Sequence, residues 1–225
     1  MSGVGSPEPP RSGGVGFAGP GAGTTALQRT RLPAPERRLA IVAAAQRVFA
    51  VGSYSGSTTA EIAREAGVSE PILYRHFASK RDLYLACLEA AWESLRTAFD
   101  DKLAELGDAE AVIAIGQASR EFHAAGGIKP VTLWIQALSE AGEDEQIQSF
   151  LRGQLREVHD YVAGALRRAQ AAGGVPADRD PNAEAWIFVG AALLLSFADR
   201  LGGLLEPADF GAMAAQRHRW LTGTG

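Results

Sequence analysis

Apolar residues in this chain recur at intervals of three and four, and almost every break in that rhythm carries glycine or proline. Ile41, Val42, Ala45, Val48 and Phe49 set the first such face, and Gly52 ends it. A period of 3.6 residues specifies helices with one buried side, whereas a half-buried strand needs alternation at two. No convincing alternating run occurs, and no repeat of roughly 20–50 residues is evident. The expected fold class is therefore all-α, with about nine helices.

Start and stop signals place these helices. Pro35 and Glu36 suit the first turn of the first helix. Thr58 is an N-cap for a short second helix carrying Ile62, Ala63 and Ala66, and Gly67 ends it where φ > 0 is favoured. Ser69 caps a third helix with Pro71 in its first turn, and Ser79 caps a long fourth through Leu83, Leu88, Trp92, Leu95, Phe99, Leu103 and Leu106. After Gly107 further helices are expected at 109–125, 129–141, 144–172, 182–202 and 207–221. Their breaks hold Gly126-Gly127, Gly142, Gly173-Gly174 with Pro176 and Pro181, and Gly202-Gly203 with Pro207.

Three regions follow. Residues 1–32 hold almost no large apolar side chain and are expected to be a disordered tail; 33–80 are expected to form a helix-turn-helix unit, and 81–225 a larger body. The formal net charge of −4 is unevenly spread. Residues 1–32 carry three arginines against one glutamate, 33–83 seven Lys/Arg against five Asp/Glu, and 84–225 twelve against twenty. A mildly basic module on an acidic body suits one face toward nucleic acid and the rest away from it. The single cysteine, Cys87, excludes an internal disulfide framework and a thiolate zinc site. The longest apolar run, Trp186 to Leu195, falls short of the about 20 residues that span a bilayer, and no secretory h-region follows Met1, so a cytoplasmic protein is expected. HExxH, P-loop and GxSxG patterns are absent. Asp100-Asp101 and Glu143-Asp144-Glu145 read as solvated helix ends rather than acid/base pairs. Neither an enzyme nor a cofactor or metal site is expected.

The stretch Thr58–Lys80, TTAEIAREAGVSEPILYRHFASK, is two short helices joined at Gly67. That layout presents its second helix to a DNA major groove. Thr58 or Thr59, at a helix N-terminus, offers a hydroxyl and free N–H groups to a phosphate. Val68 plugs the angle between the helices, and Leu73 and Phe77, four apart, belong to a small core with Ile62 and Phe49. Ser69, Glu70, Ile72 and Arg75 remain for the exposed faces, with Tyr74 and His76 in part. Arg75 is the candidate for base readout, since a guanidinium bonds guanine O6 and N7 together; Ser69 and Glu70 are secondary candidates. Ile72 meets either a thymine methyl or a neighbouring helix. Lys80 opens the fourth helix, where its charge adds to the N-terminal dipole for a further phosphate.

Ala44, Ala45, Phe49, Tyr54, Thr58-Thr59, Ile62-Ala63, Ala66-Gly67-Val68-Ser69, Leu73-Tyr74, His76-Phe77 and Ser79-Lys80 carry a family likeness. The segment Ile41–Leu83 resembles the DNA-binding domain of the TetR family of bacterial transcriptional regulators. That resemblance implies backbone contacts from Tyr74 and His76, although His76 also has a core-packing reading. Two departures stand out: Ser53, not glycine, precedes Tyr54, with the glycine one earlier at Gly52, and Pro71-Ile72 replaces a more usual Gly-Thr or Gly-Ala.

The resemblance further implies a homodimer built on the last two helices. The chain supplies Trp186, Val189, Gly190, Leu193, Leu194, Phe197, Phe210 and Met213 for such an interface, or for the protomer's own core. It also implies a small-molecule effector held by helices four to seven. The candidates are Trp92, Phe99, Phe122, His123, Trp134, Gln136, Phe150, Gln154 and His159, each of which is alternatively a core residue. The expected function is a one-component regulator, more often repressing, on a palindromic double-stranded DNA operator. The alternative is a helical small-molecule-binding protein whose helix-turn-helix no longer binds DNA.

Overall fold

The computed structural model describes residues 33–124 and 130–223. The tail expected at 1–32 lies outside these residues, as does the Gly126-Gly127 break. Among the described residues the chain is all-α, with nine α-helices and one 3₁₀ turn. They are α1 (Ala34–Val51), α2 (Thr59–Glu65), α3 (Glu70–His76), α4 (Lys80–Leu106), α5 (Ala111–Ala124), α6 (Pro130–Ala141), α7 (Glu145–Ala171), α8 (Pro181–Leu201) and α9 (Pro207–Thr222). The 3₁₀ turn, Asp108–Glu110, takes the residues expected to open α5, so that helix starts two residues late. None of the described helices is long and apolar enough to cross a membrane.

The caps expected at Thr58 and Ser79 form. The Thr58 side chain accepts from Glu61 N at 3.2 Å while the Glu61 carboxylate accepts from Thr58 N at 2.9 Å, a reciprocal capping box. Ser79 caps α4 through Asp82 N, and Asp144 caps α7 through Gln146 N and Ile147 N. At the end of α2, Val68 N reaches Ala63 O and Gly67 N reaches Arg64 O. Gly67 sits at φ +66°, a conformation that costs a residue with a Cβ but not glycine.

The first helix ends at Val51, with Gly52 extended. Here glycine serves close approach: a Cβ would stand 2.8 Å from Ser57 Oγ and 3.3 Å from Val48 O. Buried Ser57 in turn donates to Ser53 O at 2.7 Å. The displaced glycine thus belongs to a compact turn that brings the chain from α1 to the start of α2.

Ile41, Ala45, Phe49, Ile62, Leu73 and Phe77 are buried together and form the core of α1–α3. Phe49 meets Tyr84 of α4 edge-on and Tyr54 lies tilted against the same ring, at 4.9 and 4.8 Å between ring centroids. Gln46 donates to Cys87 O at 2.9 Å, fastening α1 along α4. Burial pushes the Cys87 thiol well above its ordinary range, which leaves it an inert packing residue. Farther along α4, Trp92 and Phe99 pack with Tyr161 of α7 and Phe188 of α8, with successive centroids about 6 Å apart. The long helix α4 therefore shares one continuous apolar core with both the first three helices and the body.

Three polar ties join these regions. Arg81 Nη1 donates to Asp144 Oδ2 at 2.7 Å, Gln136 Nε2 to Gly52 O at 3.1 Å, and Ser55 Oγ to Glu140 Oε1 at 3.2 Å. The Arg81 hydrogen bond, opposed by desolvation and aided by the N–H groups of Ile147 and Gln146, holds the Asp144 carboxyl below its usual range.

Candidate nucleic-acid interface

The Schellman turn at Gly67 sets α3 across α2, and a side-chain network fixes the crossing. Thr59 Oγ1 donates to Glu70 Oε1 at 2.6 Å and lies 3.2 Å from Tyr74 Oη. Glu70 is thus engaged in fastening α3 to α2, and its carboxylate also faces the N-terminal turn where the helix dipole favours it. Ser69 caps α3 by backbone conformation alone and makes no side-chain cap bond. Its hydroxyl is exposed.

The outer face of α3 carries Arg75, exposed and without an ion pair among the described residues, beside Tyr74, which is 48% exposed. Ile72 and His76 are half-buried, while Leu73 and Phe77 point inward. At the start of α4, Lys80 lies with Nζ 4.6 Å from the Tyr54 ring centroid. Desolvation lowers its pKa, opposed by the nearby Glu140 and Glu61 carboxylates. It remains a cation, held against an aromatic face at the edge of the surface that α3 presents.

The hydroxyls of Thr58 and Thr59 are both engaged, that of Thr59 with Glu70 and Tyr74. The Thr58 hydroxyl is committed to Glu61, and hydrogen bonds from Thr58 hold the Glu61 carboxyl below its ordinary range. The T-x-x-E spacing that announces this box is legible in the sequence. Its stabilising effect has a direct measure. Thr58→Ala is expected to lose about 1 kcal/mol in urea denaturation, the usual worth of an N-cap hydroxyl. A change below about 0.3 kcal/mol would show that the box adds nothing to α2.

Of the nine residues singled out for an effector, the eight with described side chains do not converge on one cavity. Trp92 and Phe99 are interior, and Trp92 Nε1 donates to Glu157 at 2.9 Å. Gln136 is used on Gly52, and Trp134 is buried. Phe150 and Gln154 border a shallow groove between α4 and α7 with Leu85, Glu89 and Glu157. His159 is buried, its ring nitrogens 2.8 Å from Asp160 Oδ1 and 3.1 Å from Asn182 O, stacked on Trp186. Phe122 is half-buried, and the His123 side chain lies outside the described residues.

On α8, Trp186, Gly190, Leu194 and Phe197 follow one another at four, four and three residues and are all exposed. Met213 of α9 is also exposed, while Leu193 and Phe210 are half-buried. Val189 is a correction. It is only 6% exposed and packs in the protomer's own core, because the helical period turns it aside from the stripe, toward Ala185.

These elements define a helix-turn-helix domain carried on a helical body. Residues 41–87 match the family model for bacterial regulatory proteins of the tetR family. The transcriptional activator FasR of Mycolicibacterium smegmatis is 48% identical over 65 residues, which cover 29% of this chain and 30% of that protein. The transcriptional regulator BetI of Rhizobium meliloti is 30% identical over 140 residues, 59% of this chain and 66% of that one. The chain thus spans less than a third of the first relative and just under two thirds of the second. The fold matches the crystal structure of a TetR-family transcriptional regulator from Rhodococcus sp., with TM-score 0.69 and 19% identity, over 84% of this chain and 99% of that one. The chain belongs to the TetR family of bacterial transcriptional regulators.

Proposed function

We propose that the protein is a transcriptional repressor that binds a roughly palindromic operator as a homodimer and leaves it when a small molecule binds the body. Residues 33–80 act as the reading head and 81–225 as the sensing and dimerising body. The observation that carries this reading is the outer face of α3, where Arg75 stands exposed and without an ion pair among the described residues while the core and the Thr59–Glu70 network fix the helix beneath it. Two such helices enter successive major grooves about 34–36 Å apart. Arg75 reads a base, with Ser69, Glu70 and Ile72 beside it, while Thr58, Thr59, Tyr74, His76 and Lys80 hold the backbone. Glu70 acts there chiefly by fixing the angle of α3.

Effector control needs a path from body to head. Gln136–Gly52 and Ser55–Glu140 are that path, because any shift of α6 must move the turn before α2, and Arg81–Asp144 ties the start of α7 to the end of α4 that adjoins the head. An effector that favours a body conformation with wrongly spaced heads draws the population off DNA. Repression is the outcome because an operator-bound dimer excludes polymerase; FasR is named an activator, so the sign is to be read from promoter output with and without the protein.

Selection from random duplex DNA followed by titration tests the assignment. Arg75→Ala is expected to lose about 1–3 kcal/mol on the selected operator and to relax preference at one base position. Lys80→Ala is expected to weaken all duplexes alike and to reduce the salt slope by about one. Uniform loss in both variants would remove Arg75 from base readout. The absence of any salt-sensitive duplex binding would favour a helical small-molecule-binding protein that no longer touches DNA.

A further inference from the structure

Between α5, α7, α8 and α9 the protomer holds a cavity of about 250 Å³, and none of the eight effector candidates with described side chains borders it. Ile113, Ile115, Val162, Leu166, Phe188 and Leu221 make most of its wall aliphatic or aromatic. Two of its charges neutralise each other: Glu184 is paired with Arg217, which also donates to the Glu184 backbone carbonyl at 3.1 Å. The Glu184 carboxylate further accepts from Trp220 Nε1 at 3.0 Å. The other two polar side chains at the wall are Arg120 and His218, and Arg120 has no carboxylate partner among the described residues.

A cavity of 150 Å³ accommodates benzene, so 250 Å³ corresponds to a ligand of about ten heavy atoms. We propose that this cavity binds a small monocarboxylate with a compact apolar body, of the size of octanoate, its carboxylate on Arg120 and its tail among Ile115, Leu166 and Phe188. A guanidinium pairs with a carboxylate through two parallel charge-assisted hydrogen bonds, which a neutral or cationic head cannot reproduce. An organic cation would find the one wall carboxylate, Glu184, already taken by Arg217 and Trp220. The tail replaces an apolar void that otherwise lacks contacts.

The site deepens the reading of an effector-controlled regulator and rests on it only for the consequence of binding. The occupant lies against Glu184 and Arg217, and their partner Trp220 is 52% exposed on α9. Binding is thus felt at the α8–α9 surface assigned to the dimer.

Calorimetric titration of the full chain with octanoate and with 1-octanol tests the site. Octanoate is expected to bind at least about tenfold more tightly than octanol, the worth of a charge-assisted pair. Arg120→Gln is expected to bring octanoate down to the octanol level and leave octanol unchanged. Gly116→Leu fills the cavity from α5, where an added Cβ meets only Arg120 Nη1 at 3.5 Å, and is expected to abolish both while the helix content stays intact. Equal affinities for the two ligands, or undiminished octanoate binding by Gly116→Leu, would overturn the proposal. Operator titrations on the same samples separate the two readings. Operator binding without octanoate binding sinks the site alone; octanoate binding by a chain that binds no duplex upholds the site and sinks the regulator.

Discussion

Leu194→Glu and Phe197→Glu are each expected to leave a folded monomer that binds the selected operator about 100- to 10,000-fold more weakly than the parent chain. Trp186, Gly190, Leu194 and Phe197 lie along one stripe of α8, and the three large side chains are 49%, 40% and 45% exposed. Leu201 continues the stripe four residues on and is more exposed still. An exposed apolar strip of this length is a surface that needs a partner. Gly190 has open space around it, so a second helix can approach closely at the centre of the strip. Completing the burial of such side chains supplies about 1–2 kcal/mol each, before the cost of association. A carboxylate placed among them must be desolvated without a counter-charge, at several kcal/mol per protomer. The operator effect is larger than the number of lost contacts suggests. Two heads joined in one dimer bind the second half-site as an intramolecular event, and that advantage of about 10²–10⁴ disappears with the seam. Sedimentation equilibrium and operator titration measure the two halves of this expectation. A variant that still sediments as a dimer would place the seam elsewhere on the body.

The fold was legible because its determinants are local. Helix period, N-cap hydroxyls and the glycine after α2 all act within a few residues, and each specifies the same backbone that the tertiary packing requires. The reading head was legible for the same reason: Thr58, Gly67, Leu73 and Phe77 are fixed by spacing along a short segment. The cavity is different. Its wall comes from Ile115, Val162, Phe188 and Leu221, residues on four helices that no local pattern brings together. Aromatic residues at helical spacing drew attention to Trp92, Phe99 and Trp134, but large rings are also the best fillers of a core, and here they fill it. The partners Arg81 and Asp144 lie 63 residues apart, and nothing in either helix end announces the other. Val189 shows the remaining limit. An apolar helix reveals which residues leave water, but not which face meets the protomer and which meets a second chain.

Glu184 shows the same limit in a charged residue, since in sequence it is an acid in the first turn of α8 that complements the helix dipole. In the fold it is 6% exposed, paired with Arg217 and bonded to Trp220, and so it fastens α9 to α8. Desolvation lowers the Arg217 pKa, opposed by Glu184, which marks a guanidinium drawn partly out of water by its partner. Arg217→Ala is expected to destabilise the protein by about 2–3 kcal/mol, at the low end for a broken buried pair because the Arg217 side chain keeps 29% of its exposure. The loss comes from stranding the Glu184 carboxylate with a single indole donor rather than from the attraction itself. Glu184→Leu combined with Arg217→Leu is therefore expected to recover most of the loss, since neither charge then needs solvation. Urea midpoints at one fixed protomer concentration make the comparison, because dimerisation shifts apparent stability with concentration. If the double variant is no more stable than Arg217→Ala, the pair stabilises the protein by its own attraction, and the α8–α9 contact is electrostatic in origin. If it recovers stability but dimerises more weakly, the pair's role is to orient Trp220, whose ring also lies beneath Arg179 at 4.1 Å, on the surface proposed to meet a second chain.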